Sequence, residues 1–365
     1  MGGHQVPQAA PRRAGDRYVT PPIPLVPRPR ISVAPMMALT DRHFRRMARL
    51  LSRDVLLYTE MVTAKAVVHG VRERLLARTP EEGAVVLQLG GSEPGELLEA
   101  ARAGADAGFQ EVNLNVGCPS DRVRSGSFGA CLMAEPRLVG ECLAAMAQGG
   151  LPVSVKHRIG IDLTDRYEDM LRFVDVVDRS SGGVSRAYTV HARKAWLKGL
   201  SPKENRSVPP LRYGEVYRLK RDRPDLWIEL NGGVADVPEA LEHLEQVDGV
   251  MIGRAFYEDP TLLAAVDPAL SGIRRSVTRR AVVEAMIDYA VEETGRGTPL
   301  APIARHMLNL FKGVPGARTW RRIITEGAHL PGAGPELVLR ALRAVPDEVL
   351  DATLTGVGMR TVVAA

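Results

Sequence analysis

The chain has 365 residues, of which 45% are hydrophobic and 25% are charged, proportions that exclude collagen-like, coiled-coil and wholly disordered proteins. Its 48 basic and 43 acidic residues leave a net charge of +5, which is too modest to indicate a nucleic-acid partner by itself. Three cysteines without C-x-x-C spacing argue against a disulfide framework or a zinc site, so we expect no bound metal.

The N-terminal segment differs in composition from the rest of the chain. Residues 1–30 contain seven prolines, five arginines and one acidic residue, without a periodic apolar pattern. Such a segment buries too little apolar surface to offset its conformational entropy, so we predict a flexible leader over 1–30. It lacks the pattern of a signal peptide, and the chain has no uncharged apolar run of about 18 residues. We therefore expect a cytoplasmic protein without a membrane partner.

From residue 31 the sequence alternates short runs rich in Val, Ile and Leu with helical stretches. The eight predicted strands are Ile31 to Pro35, Leu56 to Met61, Val85 to Gly90, Glu111 to Val116, Pro152 to Arg158, Tyr188 to Arg193, Trp227 to Gly232, and Val247 to Gly253. A first helix is predicted over 41–51 with Thr40 as its N-cap. Eight alternations over 31–270 predict an α/β fold, a (β/α)8 TIM barrel rather than a doubly wound sheet.

After about residue 272 the strand pattern stops and apolar residues recur at helical spacing. The segment 271–330 holds ten basic and five acidic residues, a difference that equals the whole net charge. A solvated basic helix surface is an equally good explanation of that charge taken alone. We predict a small all-helical domain over 271–350, followed by a C-terminal tail over 351–365.

Polar side chains close most of the predicted strands, at the end of a barrel where reactive groups lie. The closing residues are Pro35, Met36, Met37, Glu60, Gln88, Asn113, Asn115, Cys118, Lys156, His157, Arg158, His191, Arg193, Asn231, Gly232, Gly233, Gly253 and Arg254. One such residue after a strand would mean little. Seven converging strand ends predict a site.

The glycines after the last two strands predict a phosphate site. Asn231-Gly232-Gly233 and Gly253-Arg254 leave backbone N–H groups uncovered beside helix N-termini, where barrels commonly bind phosphate. Arg254 would add a charge-assisted contact. The alternative is that these glycines only permit turns with positive φ. Because neither a Rossmann G-x-G-x-x-G nor a P-loop is present, a mononucleotide-type phosphate is favoured, which suggests FMN.

Three further residues fit such a cofactor. Lys156 can stabilise the negative charge of a reduced flavin, and Gln88 can hold the ring edge by hydrogen bonds. Cys118 lies on the loop after the fourth strand, where a protonated thiol can act as a general acid. Cys131 and Cys142 are interpreted as small buried hydrophobes.

Several motifs, in order from about residue 31 to 330, resemble the tRNA-dihydrouridine synthases. They are A-P-M-M (34–37), L-L-Y-T-E-M-V-T (56–63), L-Q-L-G-G (87–91), E-V-N-L-N-V-G-C-P-S-D-R-V (111–123), F-G-A-C-L-M (128–133), H-A-R-K-A-W-L-K-G-L-S-P-K-E-N-R (191–206), N-G-G (231–233) and G-V-M-I-G-R (249–254). The 191–206 motif and G-A-R-T-W-R-R (316–322) are similar to the subfamily acting on uridines 20 and 20a of the tRNA D-loop. One departure is His157, where we would expect threonine. It need not disturb Lys156, because strand neighbours point to opposite faces.

The resemblance implies an FMN-bearing barrel followed by a helical tRNA-binding domain. Its reaction would be reduction of the C5=C6 bond of uridine to 5,6-dihydrouridine, with hydride from reduced FMN to C6 and a proton from Cys118 to C5. NADPH would re-reduce the flavin. The implied flavin contacts are Pro35, Met36, Met37, Gln88, Lys156, His191, Asn231, Gly232, Gly233, Gly253 and Arg254. The candidate tRNA contacts are Asn115, Lys203, Asn205, Arg206, Arg318 and Arg321.

Two other functions remain open. An FMN barrel oxidoreductase acting on a free small molecule would have similar strand ends and phosphate loops, although the basic helical tail argues against it. A tRNA-binding protein that keeps the fold without chemistry would not need Cys118, Lys156 and His191. We expect tRNA and NADPH as partners and a monomer.

Overall fold

The computed structural model describes residues 28–120, 126 and 128–354. Its strands are β1 (Ile31–Val33), β2 (Leu57–Tyr58), β3 (Val62–Thr63), β4 (Val85–Gly90), β5 (Glu111–Val116), β6 (Val153–Arg158), β7 (Ser185–His191), β8 (Trp227–Asn231) and β9 (Gly249–Ile252). They form one parallel sheet in the order β1-β9-β8-β7-β6-β5-β4-β2, with β3 also paired to β4. The predicted strands are confirmed to within a few residues.

The two ends of this sheet meet and close the barrel. Ser32 forms a parallel bridge with Leu56, and the Val33 N–H donates to the Leu56 carbonyl oxygen at 2.9 Å. Since β2 and β3 occupy one position beside β4, the barrel has eight strand positions. The predicted TIM barrel is thus confirmed.

The second predicted strand is divided in two for a physical reason. At the break, the Gln88 N–H donates to the Thr59 hydroxyl oxygen at 3.0 Å instead of to a backbone carbonyl. The Glu60 carboxylate accepts from the Ala38 N–H of the preceding loop. The Thr59 side chain therefore replaces a ladder hydrogen bond between β2 and β3, beside the mouth of the barrel.

Helices surround the barrel and continue beyond it. They are α1 (Arg42–Leu51), α2 (Ala64–His69), α3 (Arg72–Leu75), α4 (Pro94–Asp106), α5 (Pro136–Ala147), α6 (Tyr167–Ser181), α7 (Tyr213–Asp222), α8 (Val237–His243), α9 (Arg254–Glu258), α10 (Val266–Ser271), α11 (Arg279–Gly295), α12 (Leu300–Ala304), α13 (Ala317–Gly327), α14 (Glu336–Leu342) and α15 (Asp347–Leu350). Short 3-10 helices cover Pro80–Glu82, Gly129–Ala134, Glu204–Arg206, Pro260–Ala265 and Arg305–Phe311. Within the described ranges, no helix is long and apolar enough to cross a membrane.

The N-cap of α1 is Asp41, so the expectation of Thr40 is wrong. The Asp41 carboxylate accepts from the N–H groups of His43 and Phe44, each at 3.0 Å. The Thr40 hydroxyl accepts instead from the Met36 N–H at 3.0 Å. Thr40 thereby fixes the loop after β1, which carries three of the predicted site residues.

At β5 the barrel wall is apolar on the helix side and polar on the inside. On β5, Val112, Leu114 and Val116 belong to the main apolar core. The alternate residues Asn113 and Asn115 are also buried, and both form side-chain hydrogen bonds to β4. This alternation places polar groups along the barrel axis, below the mouth.

The C-terminal helices share the main apolar core with the barrel and dock on α1. Trp320 on α13 is fully buried, and its indole donates to the Met307 carbonyl oxygen at 3.2 Å. The Asp41 carboxylate accepts from Arg305 at 2.5 Å and lies 2.9 Å from His306 Nε2. The segment that follows the barrel is therefore helical, as predicted, and contacts the helix that begins beside the mouth.

Both predicted terminal segments lie mostly outside the described residues, namely 1–27 and 355–365. Two arginines of the predicted leader contact the barrel. Arg28 forms an ion pair with Glu111 at 2.5 Å, and Arg30 donates to the Leu244 carbonyl oxygen at 2.7 Å. The chain thus enters the fold before β1 begins.

Candidate active site

The predicted site residues follow strands that all run in parallel, so they gather at one end of the barrel. Lys156 is the central cation of this end. Its ammonium donates to Asn231 Oδ1 at 2.8 Å, and the Asn231 amide nitrogen donates to the Met251 carbonyl oxygen at 2.8 Å. Burial, followed by the charge of Arg158, lowers the pKa of Lys156 to about 8. A lysine in this setting favours an anionic ligand.

Further basic side chains surround Lys156. Burial lowers the pKa of Arg158 to about 10, and its guanidinium donates to the Gly117 carbonyl oxygen at 2.8 Å. Burial and the nearby positive charges lower the pKa of His191 well below its usual value, so this imidazole is neutral at pH 7. The exposed Arg254 and Arg206 interact electrostatically with each other. The mouth therefore has a positive electrostatic potential.

The glycines after β8 take a conformation that other residues rarely adopt. Gly232 has φ 114° and Gly233 has φ 82°. A Cβ atom on Gly232 would lie 2.7 Å from His191 Cδ2, and one on Gly233 would lie 2.5 Å from Leu211 Cδ1. The turn therefore requires glycine for its own geometry, and it leaves Gly233 exposed, whereas Gly232 is buried against His191.

The loop after β1 lies against the same opening. Met36 packs on an apolar cluster inside the barrel that includes Ala34 and Met251. Pro35 is half-buried, whereas Met37 is 60% exposed. Gly253 faces this loop, because a Cβ there would lie 3.3 Å from Ala34 Cβ. An exposed apolar side chain at this opening fits one face of a planar ligand.

Cys118 lies on the loop after β5, and that loop is held from within the barrel. Asn115 Oδ1 accepts from the Gly117 N–H at 3.1 Å and from the Cys118 N–H at 3.0 Å. The Cys118 carbonyl oxygen accepts from the Ala130 N–H at 2.9 Å. The thiol is half-buried and lies 3.5 Å from the Ser120 hydroxyl. It interacts electrostatically with Lys156.

Two of the candidate tRNA contacts have structural roles. The Asn205 side chain is fully buried and fastens its own loop through the Trp196 N–H at 2.8 Å and the Leu200 carbonyl oxygen at 3.2 Å. Asn115 is also buried and holds the Cys118 loop as described above. Both residues thus have internal hydrogen-bond partners, and their contact with tRNA stays a prediction.

The other four candidate tRNA contacts are exposed, namely Lys203, Arg206, Arg318 and Arg321. Arg318 and Arg321 lie three residues apart on α13 and therefore share one helix face. Trp320 and Ile324 occupy the buried face. This arrangement leaves the two arginines accessible to a ligand of the helical region.

The departure at position 157 leaves Lys156 undisturbed, as expected. His157 is fully buried on the helix side of β6, with its ring 5.0 Å from that of Phe173 and 6.0 Å from that of Tyr188. Burial lowers the pKa of His157 to about 4. This residue packs the barrel wall and lies on the opposite face from the site.

Sequence reasoning missed the polar groups inside the barrel below the mouth. Ser154 and Glu229 are almost fully buried, and neither was assigned a role. Asn113 was noted at a strand end without one. The available signal was the alternation E-V-N-L-N-V over 111–116, which is unusual for a parallel strand covered on both faces. Among the described residues, no group of three or more His, Cys, Asp and Glu could hold a metal ion.

Comparisons with known proteins agree with this geometry. A family model described as dihydrouridine synthase matches residues 32–346. The chain is 55% identical over 316 residues to a tRNA-dihydrouridine(20/20a) synthase of Synechocystis sp., covering 86% of this chain and 94% of that protein. It is 52% identical over 322 residues to the protein of the same name from Vibrio vulnificus, covering 88% and 98%. The Escherichia coli K12 protein of that name is 51% identical over 321 residues, covering 87% and 92%.

A solved structure of morphinone reductase in complex with tetrahydroNAD is also similar. It overlays with a TM-score of 0.46 at 14% identity and covers 66% of this chain and 87% of that chain. Nothing about function follows from this likeness.

Proposed function

Because the chain belongs to the dihydrouridine synthase family, a family of flavin-dependent enzymes that reduce uridine in tRNA to dihydrouridine, we propose that it acts on uridines 20 and 20a. The names of its relatives, which are about half identical to it over nearly their whole length, support these positions. In the structure, the proposal depends mainly on one observation. Lys156, Asn231 and the Cys118 loop lie together at the barrel mouth. The exposed arginines of α13 support tRNA as the substrate.

We propose FMN as the flavin, because the residues present fit it. The turn at Gly232 and Gly233 offers the exposed backbone of Gly233 for a phosphate, and the exposed Arg254 begins α9, the helix that follows β9. Lys156 would face the electron-rich edge of the reduced ring, and Gln88 would hold the ring through its amide. Pro35, Met36 and Met37 would cover one face.

The chain's own residues account for substrate binding and proton transfer. A bound flavin supplies the hydride for C6 of the uracil. Cys118 donates the proton to C5, where negative charge develops. Lys156, Arg158 and Arg206 lie close enough to Cys118 to interact with it electrostatically. The exposed cations bind the tRNA backbone and offset the cost of unstacking the base, about a few kcal/mol.

Three further assignments belong to the same proposal. NADPH is the reductant, which the family supports, and it would reach the flavin through the same open mouth. The protein acts as a monomer in the cytoplasm, a location that tRNA as the substrate supports. No metal takes part in the reaction we propose.

The test is mass spectrometry of nucleosides from defined fragments of unmodified tRNA, after incubation with the purified protein, FMN and NADPH. We expect the mass of two hydrogens to be added at uridine 20 or 20a. A Cys118→Ala preparation, treated identically, controls for carried-over activity. If the protein oxidises NADPH but leaves every tRNA uridine unchanged, the enzyme reduces a free small molecule instead.

A further inference from the structure

A continuous chain of side-chain hydrogen bonds runs inside the barrel from its base to the Cys118 loop. At the base, Arg28 pairs with Glu111 at 2.5 Å, and the Ser154 hydroxyl donates to the other oxygen of the same carboxylate. The Asn113 amide nitrogen then donates to the Ser154 oxygen at 2.8 Å. The Gln88 amide nitrogen donates to Asn113 Oδ1 at 2.8 Å.

The chain continues from Gln88 to the loop that carries the thiol. The Asn115 amide nitrogen donates to Gln88 Oε1 at 3.0 Å. Asn115 Oδ1 accepts from the Gly117 and Cys118 N–H groups. Gln88 and Asn113 are at most 1% exposed, so water has little access to compete for these bonds.

The direction of every bond in this chain is fixed by its two ends. The Glu111 carboxylate, ion-paired to Arg28, can only accept, whereas backbone N–H groups can only donate. The Ser154 hydroxyl must therefore donate to Glu111, at the base of the barrel, and accept from Asn113. Each amide above it then has one permitted orientation, with nitrogen toward the base and oxygen toward the mouth. Reversing any one amide would leave facing donors or facing acceptors without partners, which is costly in a buried site.

We infer that Glu111, Ser154 and Asn113 are positioning residues for the reaction, acting through Gln88 and Asn115. They fix the orientation of the Gln88 amide, and through Asn115 they fix the backbone of Cys118. The carboxylate at the base of the barrel thus determines the hydrogen-bond polarity at its mouth. This inference rests on the proposed function for its effect on turnover, but its effect on Gln88 and Cys118 is independent of the substrate.

The test compares two single-hydroxyl deletions inside the same barrel. Ser154→Ala breaks the chain of hydrogen bonds between Glu111 and Asn113. Ser32→Ala is the matched control, because Ser32 is also fully buried and its hydroxyl donates to a buried carboxylate, that of Glu229, at 2.7 Å. Ser32 has no bond in the chain to Cys118.

Three readouts separate positioning from general stability. In the flavin-loaded protein, Ser154→Ala should shift the visible absorption of the flavin and change the rate of Cys118 alkylation by iodoacetamide, with Cys131 as the internal reference. We expect kcat to fall roughly tenfold with little change in the KM for tRNA, the pattern of a misplaced reacting group. Ser154→Thr, which keeps the hydroxyl, should restore all three readouts, and Ser32→Ala should change none of them.

Equal effects of Ser154→Ala and Ser32→Ala on all three readouts would overturn the inference and leave the chain a packing feature. If Ser154→Ala does not fold, Asn113→Ala breaks the next bond, with Thr189→Val as its control because Thr189 also donates to Glu229. The proposed function fails separately, if the wild-type protein forms no dihydrouridine. In that case alkylation and absorption still test the chain.

Discussion

The backbone of Cys118 is held by hydrogen bonds that do not involve its thiol. Asn115 and Ala130 hold its loop through backbone atoms, so removing the sulfur leaves these bonds in place. We expect Cys118→Ala to bind FMN and tRNA normally and to turn over about 10²- to 10⁴-fold more slowly, the usual contribution of general acid catalysis. Single-turnover reduction of tRNA measures this. Cys131→Ala is the matched control, and near-normal turnover of Cys118→Ala would remove the thiol from the mechanism.

Replacing Lys156 tests whether the site stabilises the negatively charged ring of a reduced flavin. The pKa of Lys156, about 8, leaves it mainly protonated at pH 7, beside Asn231. Lys156→Met removes this charge and should destabilise the reduced flavin more than the oxidised one. We expect the two-electron midpoint potential to fall by about 30 mV or more, which corresponds to a tenfold change in the equilibrium. Reductive titration of the bound flavin measures the potential, and an unchanged value would place Lys156 away from the ring.

At the scale of elements, α13 presents two arginines on its exposed face, Arg318 and Arg321. If they neutralise tRNA phosphates, replacing both by alanine lowers the slope of log affinity against log salt concentration by about 1.4 to 1.8. Fluorescence anisotropy of labelled tRNA across a salt series gives the slope. Arg172→Ala is the control, because Arg172 is exposed on α6 in the barrel wall. The same slope in the double variant and the wild type would show that this face of α13 does not bind tRNA phosphates.

The strands could be predicted because buried parallel strands appear as short apolar runs closed by glycine or polar residues. The division of the second strand could not, because the Thr59 hydroxyl replaces a backbone partner only once β4 lies beside it. For the same reason the sequence indicated Asn115 and Asn205 as candidate tRNA contacts but could not show that both side chains form hydrogen bonds within the fold. Pairing between distant strands decides which polar side chains are satisfied internally and which remain for a ligand.

At the scale of the whole molecule, α1 joins the site to the helical region. Its N-terminus follows the Met36 loop, and Asp41 there accepts from Arg305. Further along, His43 lies 2.8 Å from the Tyr289 hydroxyl of α11. Burial lowers the pKa of His43 to about 4. The junction between the barrel and the helical region therefore contains a neutral histidine, as the barrel wall does at His157.

These two histidines make the stability of the molecule depend on pH in a defined window. Both have folded-state pKa values of about 4, below the unfolded value of about 6.5. Between these values the unfolded state binds more protons than the folded state. The two histidines therefore do not reduce the free energy of unfolding above pH 6.5, and they reduce it progressively as the pH drops toward 4. By pH 5 we expect His157 to account for a loss of about 2 kcal/mol.

Urea unfolding at about pH 7.5 and pH 5 tests this with variants that cannot take up the proton. His157→Thr should lose about 2 kcal/mol less than the wild type between the two conditions, whatever its stability at neutral pH. His43→Gln should change the pH dependence in the same direction. Because His43 contacts the helical region and His157 does not, a helical region that unfolds first would make only the His43 effect appear in the early part of the transition. Parallel pH profiles for the wild type and His157→Thr would show that this histidine is protonated without cost in the folded protein.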